Sequence, residues 1–404
     1  MSRRRPPGSS LAPRPGTERW GPADWAHHRR GQRITARHRR DRRRRAAGWA
    51  GWTAAGALVA SAAVGLSARS VRPTTSWVPQ VAAVGLPVLG PALALAALVA
   101  GGVAVRTRRP TTVAGALVLA VTAGAVLFRG TAPPRADAAG DGLRVVTLNV
   151  GQRTADSGYR LAEYLRATAP HVVALQETDV RSVLRDGQRA QVASPATLAL
   201  LGEGYVAAGG VAEMVADQRG PANRQVVYTT LPVLEHAAAE LGPSDTDPGV
   251  YARVVVDWRG QRVAVYNVHL RPFNPTAGWS VARALSPRVW AETPGRLRAY
   301  FGVQTEEAER LAALLRAEPL PFVVLGDFNA TPDQWSRAIL SARADEVFGR
   351  RLWAATRPDA VPLAAIDGVL AGAGWGVAGA DVGPPGLSDH RALWAELTYT
   401  PPRP

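Results

Sequence analysis

The sequence predicts an α/β (α+β) fold, a four-layer sandwich of two mixed β-sheets flanked by helices, preceded by three transmembrane helices. Three observations predict it. The first third of the chain contains three uncharged apolar stretches, and the remainder mixes short β-rich runs with amphipathic helical patterns. These runs follow neither strict βαβ alternation nor a series of hairpins, which favours two mixed sheets packed face to face with helices outside.

The N-terminal tail carries most of the positive charge. Residues 1–45 contain 15 arginines and three acidic residues, together with proline and glycine, and show no apolar periodicity. We therefore expect a disordered, cytoplasmic tail. The net charge of +16 suggests a nucleic-acid binder, but residues 141–404 contain 26 arginines against 28 acidic residues. The folded part thus lacks the bulk charge that attracts a polyanion. The absence of cysteine excludes disulfides, thiol nucleophiles and cysteine-based zinc sites.

The three uncharged stretches are residues 46–68, 78–105 and 111–128. A bilayer core about 30 Å thick needs roughly 20 apolar residues in a helix, so each stretch is a candidate span. The alternatives are buried helices of a soluble domain or, for the first stretch, a signal peptide. Three successive helices without a polar face argue against the former, and the two later stretches argue against the latter.

Arginine placement predicts the orientation of a multi-pass cell-membrane protein. The tail and Arg106, Arg108 and Arg109 should be cytoplasmic, while the loop with Arg69 and Arg72 should face out. Three spans from a cytoplasmic N-terminus place the C-terminal domain outside the cytoplasm. Residues 129–140 are predicted to be a linker and 141–400 a single domain.

Within that domain, eight β-rich runs predict strands at residues 144–150, 171–175, 225–229, 252–257, 263–270, 322–325, 365–370 and 391–397. Apolar residues recur every three or four positions in residues 159–168 and 304–316, which predicts helices there.

Polar side chains stand at the ends of six of these strands, where a strand does not need them. They are Asn149, Gln176, Glu177, Asn267, His269, Asp327, Asn329, Asp367, Asp389 and His390. Any one of them has an ordinary explanation, since a carboxylate at a strand end is more often a turn or cap residue and a lone histidine is usually a core residue. This explanation does not account for the occurrence of such residues at six strand ends. Strand ends of a sandwich converge, and carboxylates, amides and imidazoles together suit divalent-metal phosphoryl chemistry.

That chemistry accounts for the residue types. Mg²⁺ prefers oxygen ligands and retains several waters, so one or two carboxylates and an amide suffice. A carboxylate or histidine must orient and deprotonate the attacking water. Imidazole, amide or metal then meets the charge on the phosphate oxygens.

The motifs resemble those of the endonuclease/exonuclease/phosphatase superfamily, which has the deoxyribonuclease I-like fold. The strings are Leu-Asn149-Val, Leu-Gln176-Glu177-Thr, Asn267-Val-His269-Leu, Gly326-Asp327-Phe-Asn329-Ala, Ile366-Asp367-Gly-Val-Leu and Ser388-Asp389-His390-Arg. They occur in the family's order over about residues 143–398. The resemblance implies a membrane-tethered member that hydrolyses a phosphoester with Mg²⁺ or Mn²⁺.

The resemblance also implies roles. Metal ligands would be Glu177, Asn149 and Asp389, and Asp327 would position or deprotonate water. Asn329 would hold the nucleophile or the phosphate, and His269 and His390 would contact the phosphate. Asp367 would orient His390, which could be a base or an electrostatic clamp.

Two further features have open interpretations. Arg224 replaces a small or amide residue of the family pattern, and it could contact a phosphate or lie on the surface; Asn267 is a second candidate for substrate binding. Residues 271–298, with Trp279 and Trp290, are predicted to be a long loop that either contacts lipid or packs on its own domain.

The sequence therefore predicts a phosphodiesterase, endonuclease-like, on the outer face of the membrane. A phospholipid-headgroup phosphodiesterase of the sphingomyelinase type and a phosphomonoesterase are alternatives. A non-catalytic membrane-anchored binding module would be expected to lack a catalytic position, and none is missing.

Overall fold

The computed structural model describes residues 22–128, 140–151, 157–178, 181–185, 188–192, 195–209, 225–242, 248–272, 287–350 and 354–401. The chain divides into two compact units, Met1–Gly56 and Ala57–Pro404. The second unit contains the α/β domain and the apolar segments that directly precede it.

Four helices precede the α/β domain: α1 Pro22–Leu66, α2 Val78–Val84, α3 Leu86–Thr107 and α4 Pro110–Leu127, with a 3-10 turn Ser67–Ser70 after α1. Within the described residues, three segments are long and apolar enough to cross a membrane: residues Arg37–Ser70, α3 and α4. Leu98 on α3 and Val121 on α4 are 74% and 71% exposed, as lipid-facing side chains would be. The three predicted apolar helices are therefore present.

Two boundaries differ from the predictions. Residues 22–45, predicted to be disordered, form the first half of α1, because arginine and alanine favour helix and the apolar stretch continues the same ladder. The predicted span 78–105 is split at Gly85, and only α3 is long enough to cross. Pro87 lacks the amide hydrogen that would continue the α2 ladder, which explains the break.

Two six-stranded sheets form the centre of the domain. Sheet I has the order β13-β14-β1-β2-β6-β5 and sheet II the order β11-β12-β10-β9-β8-β7. The strands are β1 Leu143–Asn149, β2 Val172–Gln176, β5 Val206–Ala207, β6 Gln225–Thr229, β7 Val233–Glu240, β8 Val250–Trp258, β9 Gln261–His269, β10 Phe322–Asp327, β11 Asp345–Glu346, β12 Asp367–Ala371, β13 Trp375–Val382 and β14 Leu393–Tyr399. A separate hairpin pairs β3 Arg181–Arg185 with β4 Gln188–Val192.

Each sheet is built around one parallel pair, β1 with β2 in sheet I and β9 with β10 in sheet II. Antiparallel strands flank both pairs: β14 and β6 in sheet I, β12 and β8 in sheet II. The carboxyl ends of two central parallel strands therefore lie together in each sheet, which is where the polar residues of the sequence motifs fall.

Three apolar clusters give the four layers. The first lies between the sheets and includes Val145 and Val172 of sheet I with Val265 and Val323 of sheet II. The second packs sheet II against α7 Pro287–Ala317 and α8 Trp335–Ser341, and the third packs sheet I against α5 Ser157–Thr168 and α6 Pro195–Gly202. The predicted four-layer sandwich with two mixed sheets is confirmed.

All eight predicted strands are present within two or three residues of their bounds. The predicted loop 271–298 is wrong from Pro287 onward, where α7 begins. Pro294 lies inside this helix, and the prolines that indicated a loop are accommodated near its start. Residues 273–286, including Trp279, and the predicted linker at 129–139 lie outside the described residues.

Candidate active site

The motif side chains meet at one end of the gap between the sheets. In β1, Val145 faces the opposite sheet, so by the two-residue period Asn149 does as well. In sheet II, Asp327 of β10 stands beside His269 of β9 and beside Asp367 of β12. The apolar strands of both sheets therefore end in polar residues at the same end of the gap. We call the place where Asn149, His269, Asp327 and Asp367 lie the motif site.

Two residues of the site have a left-handed backbone conformation just past a strand: Glu177 directly follows β2, and Asn329 lies two residues after the end of β10. Glu177 has φ of 57° and Asn329 has φ of 47°. Such values cost roughly 1–2 kcal/mol in a residue with a side chain. This conformation ends the alternation of side chains between the two faces of the sheet. The directions of the Glu177 and Asn329 side chains therefore do not follow the two-residue period of the preceding strands.

Glu177, Asn149, Asp327 and His269 converge. The Asn149 amide nitrogen donates to Glu177 Oε1 at 2.9 Å and to Asp327 Oδ2 at 3.0 Å. His269 Nε2 lies 3.8 Å from each of these two carboxylate oxygens. It is buried and has no hydrogen-bond partner among the described residues. Two carboxylates therefore share one neutral donor, an arrangement deficient in positive charge.

A second cluster consists of His390 and Asp367. Asp367 Oδ2 accepts a hydrogen bond from His390 Nδ1 at 2.8 Å, and Asp327 Oδ2 is 3.9 Å from the same nitrogen. Burial opposes protonation of the imidazole, but the charge and hydrogen bond of Asp367 and the charge of Asp327 outweigh it and raise the pKa of His390 to about 9. With Nδ1 engaged, Nε2 is the nitrogen available to a substrate.

Asp327 connects both clusters. Burial and the negative charge of Asp367 raise the pKa of Asp327, while the two histidines and the backbone amide of Asn329 act in the opposite direction. That amide donates to Asp327 Oδ1 at 2.8 Å. The Asn329 side-chain amide donates to the Leu270 carbonyl at 2.9 Å, which fixes the orientation of the carboxamide. A buried carboxylate with a raised pKa is a better proton acceptor for water.

Asp389 lies at the mouth of the site. A Cβ on Gly151, two residues past Asn149, would approach Asp389 Oδ1 to 2.7 Å. Ser388 Oγ donates to that oxygen at 3.2 Å, and Arg357 reaches Asp389 Oδ2 at 3.4 Å. The role of Asp389 as a metal-side acid stays a prediction.

Two groups of residues could hold a cation. Ligand atoms of Asp327, Asp367 and His390 lie within 4.8 Å of one another. In that group His390 Nδ1 already donates to Asp367, so His390 and Asp367 are better suited to act as a hydrogen-bonded pair than as cation ligands. Glu177 and Asp327 instead offer oxygens directed at one amide, which is the ligand chemistry a hard divalent cation prefers. Ligation by Asn149 Oδ1 would require the carboxamide to turn, because its nitrogen faces the carboxylates.

Of the two predicted substrate contacts, only Asn267 lies in the described part of the chain. Asn267 is fully buried below the motif site, where Oδ1 accepts from Gln176 at 2.7 Å and Nδ2 donates to the Leu175 and Val226 carbonyls. These three hydrogen bonds hold the carboxamide between the sheets, which favours a structural role for Asn267 over the predicted contact with substrate. Arg224 lies outside the described residues.

The structure adds residues that the motifs did not reveal. Gln304 of α7 donates to the Asn329 carbonyl at 3.1 Å and to Tyr300 Oη at 2.6 Å, which supports the loop after β10. Arg337 of α8 is 1% exposed, pairs with Glu346 at 2.9 and 2.5 Å, and lies over the Phe328 ring at 4.2 Å. The recurrence of apolar residues every three or four positions in α7 could have indicated that Gln304 faces the sheet. Nothing local in the sequence indicates that Arg337 is buried.

Fold and site together define a sandwich-type phosphoester hydrolase, and comparison with known proteins agrees. The model of the Endonuclease/Exonuclease/phosphatase family matches residues 146–390, so the chain belongs to this family. Its members hydrolyse phosphoesters, and this protein is a hydrolase of that class. No curated protein matches the sequence.

Comparison with solved structures finds similar chains at low identity. The catalytic domain of human Nocturnin with bound sulfate is 16% identical with a TM-score of 0.43, over 67% of this chain and 100% of that one. Humanized D. rerio TDP2 is 14% identical with a TM-score of 0.43, over 64% and 99%. An endonuclease/exonuclease/phosphatase from Beutenbergia cavernae is 20% identical with a TM-score of 0.40, over 64% and 72%.

Proposed function

We propose that the protein is a divalent-metal-dependent phosphodiesterase that uses Mg²⁺ or Mn²⁺ and an activated water. The observation that carries this proposal is the convergence of Glu177 and Asp327 on the Asn149 amide, with His269 Nε2, which has no partner among the described residues, at 3.8 Å from both. The Glu177 carboxylate supplies an oxygen ligand, Asp327 faces the attacking water, and the imidazole supplies a donor for a phosphate oxygen. When bound, the cation would neutralise charge on the phosphate and lower the pKa of water.

The chain's own residues divide the remaining work. Asp327 accepts the proton of the attacking water, since burial and Asp367 raise its pKa. His390, with a pKa of about 9, is protonated at neutral pH and therefore acts as an electrostatic clamp or a proton donor rather than as the base. Asn329 holds the water or the phosphate at the end of β10, and Asp389 extends the metal side of the site.

Loss of metal and loss of single side chains test the proposal. The full chain in detergent should hydrolyse bis(4-nitrophenyl) phosphate with Mg²⁺, lose activity in EDTA and regain it when Mg²⁺ is restored. Asp327→Ala and His390→Ala should each lower kcat at least a hundredfold. Asp381→Asn, which changes an exposed acid of β13, is the matched control. Unchanged turnover in Asp327→Ala would refute the assignment.

We also propose that the α/β domain lies on the outer face of the cell membrane. Arginines around α3 and α4 support this orientation: Arg106, Arg108 and Arg109 flank the short turn between these helices, which the positive-inside rule places in the cytoplasm. The segment between α1 and α3 would then be outside. Contacts of that segment with the α/β domain, described next, support the same side for both.

A further inference from the structure

The segment between the first and second apolar helices packs directly on the α/β domain. We call residues 67–85, which join α1 to α3, the span connector. Gln80 of α2 is 1% exposed and accepts the Trp335 backbone amide hydrogen on Oε1 at 3.0 Å. Its Nε2 donates to the Ala68 and Val71 carbonyls at 3.0 and 2.8 Å, and its carbonyl accepts from Gln334 Nε2 at 3.3 Å. One buried glutamine thus joins both ends of the connector to the start of α8.

Arginines of the connector extend this contact. Arg69 donates to the Pro332 carbonyl, and Arg72 pairs with Glu309 of α7 at 2.7 Å. The Arg72 guanidinium also lies 5.9 Å from the Trp335 ring centre. Because buried hydrogen bonds of this kind are expensive to break, the connector and the loop 331–335 form a fixed joint rather than a loose tether.

The joint lies at the same end of the sandwich as the motif site. Pro332 follows Asn329 by only three residues, a chain distance of at most about 11 Å. Arg69, which binds Pro332, follows the last residue of α1 by three residues. The headgroup layer on each side of a bilayer is about 5–8 Å thick, as the difference between total and hydrocarbon thickness implies. The joint therefore places the motif site at the end of the domain to which the apolar segment is bound.

The link from α4 to β1 permits this orientation. β1 begins at the end of the sandwich far from the site, because Asn149 is its last residue. The strand is about 23 Å long at 3.3 Å per residue. The sixteen steps from Leu127 to Leu143 span up to about 55 Å when extended, which is enough to reach from the membrane past the length of the domain.

A second observation points to the same surface. Val361 and Leu363 are 63% and 46% exposed at the tip of a short hairpin, closed by the bridge between Arg357 and Ala364. The hairpin is held at the mouth of the site, since the Asp359 amide donates to the Asp389 carbonyl at 2.9 Å and Arg391 donates to the Asp359 carbonyl. We call Val361, Pro362 and Leu363 the apolar tip.

From these two observations, and resting on the proposed function, we propose that the substrate is a phospholipid and that the motif site opens onto the membrane in which the chain is anchored. The apolar tip inserts among the headgroups beside Asp389, and the span connector sets the height of the site. Water adds its oxygen to the headgroup phosphorus, one P–O bond to an alcohol breaks, and the products are a phosphomonoester and an alcohol that takes up the proton. The near-neutral charge of residues 141–404 suits a headgroup better than a nucleic acid.

The absence of cysteine allows a direct measurement of depth. Leu363→Cys in the full chain, labelled with an environment-sensitive fluorophore and reconstituted in phosphatidylglycerol–phosphatidylcholine vesicles, should show blue-shifted emission and quenching by headgroup-level spin-labelled lipid. Val206→Cys is the matched control, because Val206 is 53% exposed and is paired with Thr229, at the end of the sandwich away from the site. Equal, red-shifted and unquenched emission from both labels would overturn the membrane placement.

Activity separates this inference from the proposed function. The reconstituted chain with Mg²⁺ is assayed on the vesicle lipid, on bis(4-nitrophenyl) phosphate and on double-stranded DNA. Val361→Asp/Leu363→Asp should lower the ratio of lipid to soluble-substrate turnover about tenfold, and Val206→Asp should leave it unchanged. Turnover of the soluble ester without lipid hydrolysis, or DNA cleavage faster than lipid hydrolysis, would overturn the lipid inference alone. Failure on all three substrates would overturn the phosphodiesterase assignment and, with it, the lipid substrate.

Discussion

Asp367 sets the protonation of His390, which makes a pH profile informative. Replacing Asp367 with Asn keeps the shape but removes the charge that raises the pKa of His390 to about 9, so this pKa should fall toward its ordinary value of about 6.5. If protonated His390 is required, the alkaline limb of kcat/KM should move from near pH 9 down by about two units. The profile of bis(4-nitrophenyl) phosphate hydrolysis measures this shift.

The raised pKa of His390 also predicts how the stability of the fold changes with pH. A histidine whose pKa is higher in the folded chain stabilises the fold fully below about pH 6.5, and this contribution is lost as the pH rises through about 9. The Tm of the parent should fall over that window more than the Tm of Asp367→Asn. Asp381→Asn should behave like the parent in both measurements, and an Asp367→Asn profile identical to the parent's would contradict the role of the pair.

Asn267 gives a second prediction at this scale. Asn267→Leu removes the acceptor for Gln176 Nε2 and the donor for the Leu175 and Val226 carbonyls, which are buried between the sheets. Unpaired buried groups cost about 1–3 kcal/mol each, so the Tm should fall clearly. Gln176→Leu/Asn267→Leu should cost less than the sum of the single changes, because both sides of one hydrogen bond disappear together. Additive costs in a thermal-unfolding cycle would contradict this bridge.

Asn267 also illustrates what the sequence could not decide. Asn267 and His269 lie two residues apart on one face of β9, and the strand period assigns them to the same side. Only the depth of each residue in the gap distinguishes a structural amide from a site imidazole, and depth depends on where the opposite sheet ends. Arg337 is a similar case, since its burial depends on Glu346 and Phe328 converging around it.

Among the elements, the parallel pair β9 and β10 depends on one glycine. Gly326 has φ of 150°, and a Cβ there would lie 1.9 Å from the Val268 carbonyl oxygen. Because that oxygen belongs to the neighbouring strand, it cannot move aside without opening the pair that carries His269 and Asp327. We expect Gly326→Ala to prevent folding, measured as loss of soluble, monodisperse protein after extraction.

Gly302 is the matched control within α7. A Cβ there meets no atom of the described residues within 4 Å, and alanine favours helix over glycine by roughly 0.5–1 kcal/mol. Gly302→Ala should therefore keep or slightly raise the Tm. If both glycine variants extract equally well with equal Tm values, the close approach of β10 to β9 is not needed for the fold.

The strength of the local pattern explains which elements were predictable. Strands buried on both faces, such as β2, are unbroken apolar runs and were found from the sequence. β7 is an edge strand with mostly exposed side chains, and β13 contains two glycines and a bulge, so neither carries a strong two-residue period. The start of α7 was missed because Pro287 and Pro294 indicate a loop when packing is unknown.

For the whole molecule, the convergence of the motif side chains was predictable because it depends on strand ends, whereas the contact between the span connector and the α/β domain was not. The spans could be recognised by composition, but the span connector is bound through backbone carbonyls and one glutamine, which have no sequence signature. Gln80 lies inside the predicted span 78–105, where a polar side chain would be unusual. In the structure it precedes the span at Gly85 and ties the apolar helices to the domain that follows them.

This joint restricts the possible topologies and leads to a final prediction. The span connector and the α/β domain are in contact, so the proposed topology puts both on one side of the membrane and the turn between α3 and α4 on the other. Asp345→Cys in β11 and Arg106→Cys near that turn are both at exposed positions of a chain without cysteine. In intact cells, a membrane-impermeant maleimide should label the first and should label the second only after permeabilisation, because positive charge is retained in the cytoplasm. The reverse pattern would place the domain inside, and equal labelling of both in intact cells would contradict a span between them.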